Sequence, residues 1–190
     1  MTEIKFGTSG WRGILAEDFT FPNARLVCQA IADYLHHEGL ASQGVVIGYD
    51  TRFRSEAFAA TAAEVMAANG IVSHLTTRDC PTPVVSYAIR EAGRAGGINI
   101  TASHNPPEYN GLKFSPATGG PAPEAVTKPI EARIGAMTLA AVKTMPLAAA
   151  REKGLVVDLE PRAAYFEHLK TLVDLEVLRR SGLKVVVDVL

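Results

Sequence analysis

The sequence predicts an α/β protein, a three-layer α/β/α sandwich built on a mainly parallel (mixed) sheet. Two observations predict this class. Short β-branched runs such as Val45-Val46-Ile47 alternate with longer amphipathic segments as far as residue 134, the order expected when helices connect parallel strands. The chain has 190 residues, 47% of them hydrophobic, which is enough for one well-packed α/β domain and an appendage.

The elements of the first domain follow from apolar spacing and from turn residues. The predicted strands are short apolar runs at residues 4–6, 44–48, 71–75, 98–101 and 112–114. The predicted helices are the longer periodic segments at residues 21–38, 55–69, 84–92 and 123–134. Thr20, Ser55 and Thr82 stand where helix-capping side chains are expected.

The remaining residues predict a tether and the beginning of a second domain. Residues 136–154 are rich in alanine and predict a helical tether, and 155–157 a short edge strand. Residues 161–178 have helical spacing, and 184–190 predict a buried parallel strand that lacks neighbours. We therefore expect a first domain at 1–135, a linker at 136–158 and an incomplete second domain at 159–190.

Composition argues against several functions on physical grounds. Lys and Arg number 19 against 20 Asp and Glu, so nothing directs the protein to nucleic acid or to an anionic membrane. No apolar run approaches the ~20 residues that span a bilayer, and the polar start does not resemble a signal peptide. Cys28 and Cys80 lack the spacing of a zinc or disulfide motif, which favours a cytoplasmic location.

The most informative stretch is residues 101–114, with the sequence TASHNPPEYNGLKF. It follows a predicted buried strand, and its two prolines prevent a helix or a central strand. Asn110-Gly111 predicts a tight turn, after which residues 112–114 resume an extended pattern. The sequence therefore predicts a rigid loop at the carboxyl end of a strand, where ligands bind in open α/β sheets.

This loop carries a hydroxyl, an imidazole and an ammonium group, on Ser103, His104 and Lys113. A hydrolase triad is not indicated, because adjacent side chains on an extended loop point apart and no G-x-S-x-G elbow is present. A serine that carries a phosphate among cations fits better. Considered alone, Ser103 would be an ordinary turn serine and Lys113 an ordinary solvated lysine. These separate interpretations do not explain why both residues occur together, with Arg12, at these spacings.

Two motifs resemble those of one family, the α-D-phosphohexomutases (phosphoglucomutases and phosphomannomutases). Thr-Ala-Ser-His-Asn-Pro followed by Asn-Gly-x-Lys resembles the phosphoserine loop of that family. Residues 6–13, FGTSGWRG, resemble its amino-terminal motif, and the likeness covers about residues 3 to 135. Taken alone, this glycine-rich segment could be a turn with a solvated Arg12 or an anion-binding nest.

The resemblance implies a reaction. Hexose 1-phosphate and hexose 6-phosphate, of glucose or mannose, would interconvert through phosphorylated Ser103 and a hexose 1,6-bisphosphate that also activates the enzyme. Lys113, with Arg12 nearby, would handle the proton, and His104 would hydrogen-bond within the site. Mg²⁺ would bind the Ser103 phosphate and a carboxylate cluster of the second domain, and the third and fourth domains would contact the sugar and its phosphate; this sequence contains none of these parts. The expected substrate- or phosphate-binding residues are Thr8, Ser9, Gly10, Asn105 and Asn110, and Asn105 would also hold the loop.

Several alternatives remain open from the sequence. Asp50 and Arg52 form a G-x-D-x-R element of the family; they either fix the loop or form a purely structural ion pair. A phosphoglucosamine mutase or a non-catalytic sugar-phosphate-binding module would share many of these features. Self-association through the exposed strand at 185–190 is a further possibility.

Overall fold

The computed structural model describes residues 4–7 and 10–188 and centres on a six-stranded mixed sheet. The strands are β1 (Gly10–Ile14), β2 (Val45–Tyr49), β3 (Ser73–Thr76), β4 (Gly96–Ile100), β5 (Tyr109–Pro116) and β6 (Val156–Leu159). Their order across the sheet is β1-β5-β4-β2-β3-β6. The pairs β4-β2, β2-β3 and β3-β6 are parallel, whereas β5 runs antiparallel to both β1 and β4. The predicted mixed, mainly parallel sheet is confirmed.

Helices cover both faces of this sheet. They are α1 (Phe21–His37), α2 (Ser55–Ala68), α3 (Thr82–Glu91), α4 (Glu124–Ala136), α5 (Leu147–Glu152), α6 (Arg162–Leu172) and α7 (Leu175–Arg180). Alternation along β2 divides the core: Val45 and Ile47 pack with α1 and α2, while Val46 packs with Val85 and Ile89 of α3. This is the three-layer arrangement that the sequence predicts.

The beginning of α1 shows how local sequence sets an element boundary. The Thr20 hydroxyl accepts a hydrogen bond from the backbone N–H of Asn23 at 3.3 Å, and Pro22 lies in the first turn. Gly39 follows the helix with φ of +70°, the left-handed conformation that commonly ends helices. The predicted cap of this helix is confirmed, and Cys28 is fully buried in the core as expected.

The structure corrects two predictions near the first motif and the loop. Residues 4–6 form no strand; β1 begins at Gly10 instead. The Asn110-Gly111 pair lies inside β5 rather than in a tight turn. Gly111 serves close packing, because a Cβ there would lie 2.6 Å from the Thr101 carbonyl oxygen and 2.8 Å from that of Trp11.

Two predicted helix caps are also corrected. Helix α2 is preceded by Arg54 with φ of +65°, and the Ser55 hydroxyl donates to Asp50 instead of capping the helix. Helix α3 begins at Thr82 itself, after Pro81, with no side-chain cap. The Ser55 hydroxyl is engaged by Asp50 and Pro81 occupies the N-cap position of α3, so neither predicted hydroxyl caps its helix.

The carboxyl-terminal part differs most from the prediction. The expected helix at 161–178 is divided, because Asp174 accepts hydrogen bonds from the N–H groups of Glu176 and Val177 and so begins α7. Its predicted apolar stripe is largely exposed, with Phe166 54% and Leu172 65% accessible. The predicted buried strand at 184–190 is not formed over its described residues 184–188, which are exposed; residues 189 and 190 lie outside the described part.

The predicted linker contains elements that pack on the sheet domain. Ala150 of α5 is fully buried, and the Met145 N–H donates to the Glu64 carbonyl of α2 at 3.1 Å. Strand β6, predicted as an edge strand, pairs with β3 at the sheet edge. Among residues 4–7 and 10–188, no helix is long and apolar enough to cross a membrane.

The packing of Gly111 predicts the effect of a single methyl group. Gly111→Ala should lower the free energy of unfolding by roughly 1–3 kcal/mol, the usual range for overpacking, because two strands must separate to admit Cβ. Urea denaturation followed by circular dichroism measures it. Gly135→Ala is the matched control: nothing lies within 4 Å of a Cβ there, so alanine should stabilise helix α4 by about 0.5–1 kcal/mol. Equal stability of the two variants would contradict the close approach.

Candidate functional site

The candidate site is built on the loop between β4 and β5, at the carboxyl end of β4. Ser103 has φ of +59°, a conformation that is uncommon for residues other than glycine. Its N–H donates to the Thr101 hydroxyl at 2.9 Å, and the Asn105 N–H donates to the Ala102 carbonyl at 3.2 Å. The Ser103 and His104 side chains are exposed. The loop thus presents both groups outward on a hydrogen-bonded backbone.

Ser103 and His104 line a cavity of about 530 Å³. Its other lining residues come from the carboxyl ends of β2 and β4 and from the segment before α3: Asp50, Thr51, Arg52, Cys80, Pro81, Thr82, Asn99 and Thr101. The Ser103 Oγ lies 3.4 Å from the His104 Nδ1. At that distance the imidazole can form a hydrogen bond with the serine hydroxyl, as donor or as acceptor according to its tautomer.

Strand β1 brings Arg12 to the loop. The Arg12 Nη1 donates to the Asn105 Oδ1 at 2.8 Å, so Asn105 connects the loop to the amino-terminal motif. Gly10, which precedes Arg12 on the same face, has a Cβ position only 2.3 Å from the Leu112 carbonyl oxygen. A side chain at Gly10 would therefore separate β1 from β5. Thr8 and Ser9, the other predicted residues of this motif, lie outside the described residues.

Arg12 and Lys113 share one face of the antiparallel β1-β5 pair. Arg12 pairs with Gly111 and Lys113 pairs with Gly10, so the two cations are diagonal neighbours. The glycines at the other two corners leave space for both long side chains. The sheet register therefore brings together two residues that are about a hundred positions apart in sequence.

Lys113 has a perturbed ionisation. Partial burial lowers the pKa of its ammonium group, and the nearby Arg12 charge lowers that pKa further, whereas Asp50 opposes both effects. Each cause is expected, since desolvation and a like charge disfavour the protonated amine. A lysine with a lowered pKa supplies more neutral amine near neutrality, which is the form that accepts a proton.

Arg52, which follows β2, donates hydrogen bonds to the backbone of the loop. Its Nη1 donates to the carbonyl oxygens of Pro106 at 2.8 Å and Tyr109 at 3.0 Å. Its Nη2 donates to the carbonyl oxygens of Ser103, at 2.9 Å, and Asn105. One guanidinium therefore contacts the beginning, the middle and the end of the loop. Of the two sequence interpretations of Asp50-x-Arg52, these contacts correspond to loop fixation.

A second polar connection holds the end of the loop. The fully buried Asn110 donates from Nδ2 to the Ser55 Oγ at 3.0 Å, and Ser55 donates to Asp50 at 2.8 Å. The Asn110 Oδ1 accepts the N–H of Gly111. The side chain of Asn110, which the resemblance places among the phosphate-binding residues, is thus fully buried, is hydrogen-bonded to protein groups and does not line the cavity.

Sequence reasoning found the exposed groups of this site, and it offered Asp50 and Arg52 as loop-fixing residues only as one of two alternatives. Ser103 lies beside His104, Arg12 contacts Asn105 of the same loop, and Lys113 is the diagonal neighbour of Arg12, but neither Arg12 nor Lys113 lines the cavity of Ser103. The roles of Thr101 and Ser55 in holding the loop were missed, although a hydroxyl directly after β4 is a weak signal for Thr101, and Ser55 was assigned only to helix capping. In the described part of the chain, no three His, Cys, Asp or Glu side chains are grouped to hold a metal ion.

Together, the fold and this loop define an α/β/α domain that presents an exposed serine among cationic side chains. Comparison with known families places it. Residues 3–140 match the family described as "Phosphoglucomutase/phosphomannomutase, alpha/beta/alpha domain I". The chain belongs to the phosphoglucomutase/phosphomannomutase family, as its two motifs predict.

Individual relatives agree with this assignment. The chain is 36% identical to a phosphoglucomutase from Komagataeibacter xylinus, over 97% of this chain and 35% of that protein. It is 33% identical to a phosphoglucosamine mutase from Alkaliphilus metalliredigens, over 96% of this chain and 39% of that protein. A solved structure described as a putative phosphomannomutase from Thermus thermophilus superposes with a TM-score of 0.80 at 39% identity, over 93% of this chain and 38% of that one. The chain thus spans little more than a third of these proteins.

The charges around Lys113 predict opposite effects of two substitutions. Arg12→Gln should raise the pKa of Lys113 towards its usual value, because a like charge is removed, and Asp50→Asn should lower it further. NMR titration of reductively ¹³C-methylated lysines measures both shifts. Arg25→Gln is the control: it removes the same charge as Arg12→Gln, but from α1, and should leave the pKa of Lys113 unchanged. A Lys113 pKa that moves the same way in both variants would contradict the assigned causes.

Proposed function

We propose that this chain supplies the phosphoserine half of a phosphohexomutase that interconverts hexose 1-phosphate and hexose 6-phosphate. The observation that carries the proposal is the exposed Ser103 at the rim of the cavity, held with positive φ beside His104. Family membership supports it, since the relatives named above are mutases. The reaction then runs through a hexose 1,6-bisphosphate intermediate, which also serves as the activator.

The proposed chemistry uses groups that the chain itself provides. A sugar hydroxyl attacks the phosphorus of phosphorylated Ser103, the bond from phosphorus to Ser103 Oγ breaks, and the phosphate passes to the sugar. The attacking hydroxyl gives its proton to the neutral amine of Lys113, and the departing Ser103 oxygen takes one proton back from the resulting ammonium group, so the transfer is balanced in protons. His104, whose Nδ1 lies 3.4 Å from the Oγ, hydrogen-bonds within the site. Reversal of these steps returns the other phosphate of the bisphosphate to Ser103.

Cations make this transfer feasible. Arg12, held against Asn105, and Lys113 place positive charge where the phosphoryl group gains negative charge. We propose that Gly10, with Thr8 and Ser9, adds backbone N–H groups, that Asn105 positions Arg12, and that Asn110 acts from its buried position by holding the loop. Magnesium would supply further charge neutralisation on the Ser103 phosphate. In the described part of the chain, no three His, Cys, Asp or Glu side chains group to hold a metal ion.

We propose that the missing ligands and the sugar contacts belong to further domains of the mutase. The relatives extend well beyond the region that this chain matches: it spans 35% and 39% of the two mutases named above. The division into a first domain at 1–135, a linker at 136–158 and the start of a second domain at 159–190 remains part of the proposal. A cytoplasmic location would suit a reaction on sugar phosphates.

The sugar itself has two candidates. Glucose or mannose phosphate follows from the likeness to the bacterial phosphoglucomutase/phosphomannomutase type. Glucosamine phosphate is favoured by the phosphoglucosamine mutase that matches over 96% of the chain at 33% identity. Turnover of glucose, mannose and glucosamine phosphates by the complete gene product, compared as kcat/KM, distinguishes them.

The phosphoserine assignment predicts a change of mass. The complete gene product, incubated with glucose 1,6-bisphosphate and Mg²⁺, should gain one phosphate that peptide mapping places on Ser103. Ser103→Ala should remove this gain and abolish turnover, because no other group takes the phosphate. Ser42→Ala, an exposed serine in the turn Ala41–Gln43, should behave as wild type. A wild type that turns over substrate without phosphate on Ser103 would overturn the proposal.

The proton-transfer role predicts a kinetic effect for Lys113. Lys113→Met should lower kcat by roughly 10²–10⁴-fold, the usual contribution of a general acid or base. A higher KM with unchanged kcat would instead make Lys113 a binding residue. Lys128→Met is the control, since that lysine is exposed and pairs with Glu124 on α4. Steady-state kinetics of the complete gene product measures both variants.

A further inference from the structure

We propose that Arg52 is the positioning residue of the phosphoserine loop, and that its guanidinium sets the place of Ser103 for phosphoryl transfer. This inference rests on the proposed function, because it concerns the placement of the group that carries the phosphate. It goes beyond the loop residues themselves, since Arg52 lies after β2, some fifty residues earlier in the chain. Arg52 contacts the backbone of the loop and so acts through Ser103.

The hydrogen bonds of Arg52 join both ends of the loop. Nη2 contacts the carbonyls of Ser103 and Asn105, and Nη1 contacts those of Pro106 and Tyr109. These four residues extend from Ser103, three residues after the end of β4, to Tyr109, the first residue of β5. A movement of Ser103 that displaced its carbonyl would break a bond to a group that also holds the start of β5.

The composition of the loop explains why a guanidinium is needed. Pro106 and Pro107 contribute carbonyl oxygens but no N–H groups, and the loop forms few backbone bonds of its own, such as Asn105 to Ala102 and Tyr109 to Pro106. Carbonyls that turn inward need an external donor. Arginine provides five N–H donors in a fixed plane, whereas lysine provides three from a single atom.

Arg52 is itself held in place. Its Nε lies 3.5 Å from the Asp50 Oδ2, with side-chain exposures of 15% for Arg52 and 26% for Asp50. The Asp50 Oδ1 accepts both the Arg52 N–H at 3.0 Å and the Ser55 hydroxyl at 2.8 Å. The carboxylate therefore anchors the guanidinium to the beginning of α2. The negative charge of Asp50 also balances the positive charge of Arg52, and both residues line the same cavity as Ser103.

The conformation of Ser103 is what this arrangement maintains. A non-glycine residue with φ of +59° relaxes to negative φ unless its surroundings hold it. The bond from Arg52 to the Ser103 carbonyl and the bond from the Ser103 N–H to Thr101 fix the peptide groups on both sides of that residue. Loss of the first should let the Oγ leave its position, and a displacement of about 1 Å can slow a reaction about 10²-fold.

The test compares arginine with lysine at two positions in the complete gene product. Arg52→Lys keeps the charge but cannot serve four carbonyls. We expect kcat for the mutase reaction, and the single-turnover rate of transfer from phosphorylated Ser103, to fall roughly 10–100-fold with KM nearly unchanged. The matched control is Arg54→Lys, since Arg54 lies two residues away, over the Phe21 ring at 5.5 Å, and should keep wild-type rates.

Four further measurements separate positioning from general stability. Rates are divided by the folded fraction from circular dichroism, so that unfolding alone does not count as a loss. The pH dependence of kcat should keep its shape in Arg52→Lys, since Arg52 transfers no proton. Methylguanidinium added to Arg52→Ala should restore part of the lost rate, whereas methylammonium should not. Amide exchange at residues 103–109 should accelerate in Arg52→Lys and stay unchanged in Arg54→Lys.

The outcomes that overturn the proposal are distinct from those that overturn the mutase function. If wild-type Ser103 takes phosphate and Arg52→Lys transfers it at the wild-type rate, the positioning role is wrong while the function stands. Should Arg52→Lys fail to fold, Arg52→Gln, whose planar amide keeps two donors, replaces it with the same expected loss. Wild-type rates in that variant would equally refute the role. Absence of phosphate on Ser103 in an active wild type would refute the function itself.

Discussion

The site depends on hydrogen bonds to the backbone carbonyl oxygens of the loop between β4 and β5, which need donors from outside the loop. A loop with two prolines and a residue of positive φ can pair only a few of its own backbone groups. In this protein one half-buried guanidinium supplies the hydrogen bonds, and Asp50 and Ser55 hold that guanidinium against the end of β2 and the start of α2. The exposed groups of the loop are therefore positioned by the hydrogen-bonded residues Arg52, Asp50 and Ser55. These residues follow β2, one of the parallel strands of the sheet.

The antiparallel part of the sheet supplies the second constraint, which is close approach. Gly10 and Gly111 occupy two corners of the β1-β5 face whose other corners are Arg12 and Lys113. Because nothing larger than hydrogen fits at the glycines, the strands stay close and the two cations stay neighbours. The partial burial of Lys113 and the repulsion between the two cations lower the pKa of its ammonium group. Backbone packing and acid-base chemistry are therefore linked at one pair of strands.

Prediction from sequence succeeded where local patterns and burial agree. Helix α1, with its cap at Thr20, and the buried strands β2 and β4 follow directly from spacing and turn residues. It failed where a tertiary contact competes with a local preference. Asn110-Gly111 has the composition of a turn, yet it forms part of β5 because β1 and β4 pair on either side. Residues 184–188 have the composition of a buried strand, but no strand of the described chain pairs with them.

The sequence by itself determined the α/β class, the family and the exposed chemical groups, because an unusual run of residues around Ser103 specifies a loop that few functions require. Tertiary structure alone decided that Arg52 holds that loop, beyond its ion pair with Asp50, and that Arg12 and Lys113 are neighbours. Arg52 and Tyr109, or Arg12 and Lys113, lie far apart in sequence and become neighbours only through strand order and register. A side chain that donates to backbone carbonyls leaves no pattern along the chain, since any residue type can supply the carbonyl.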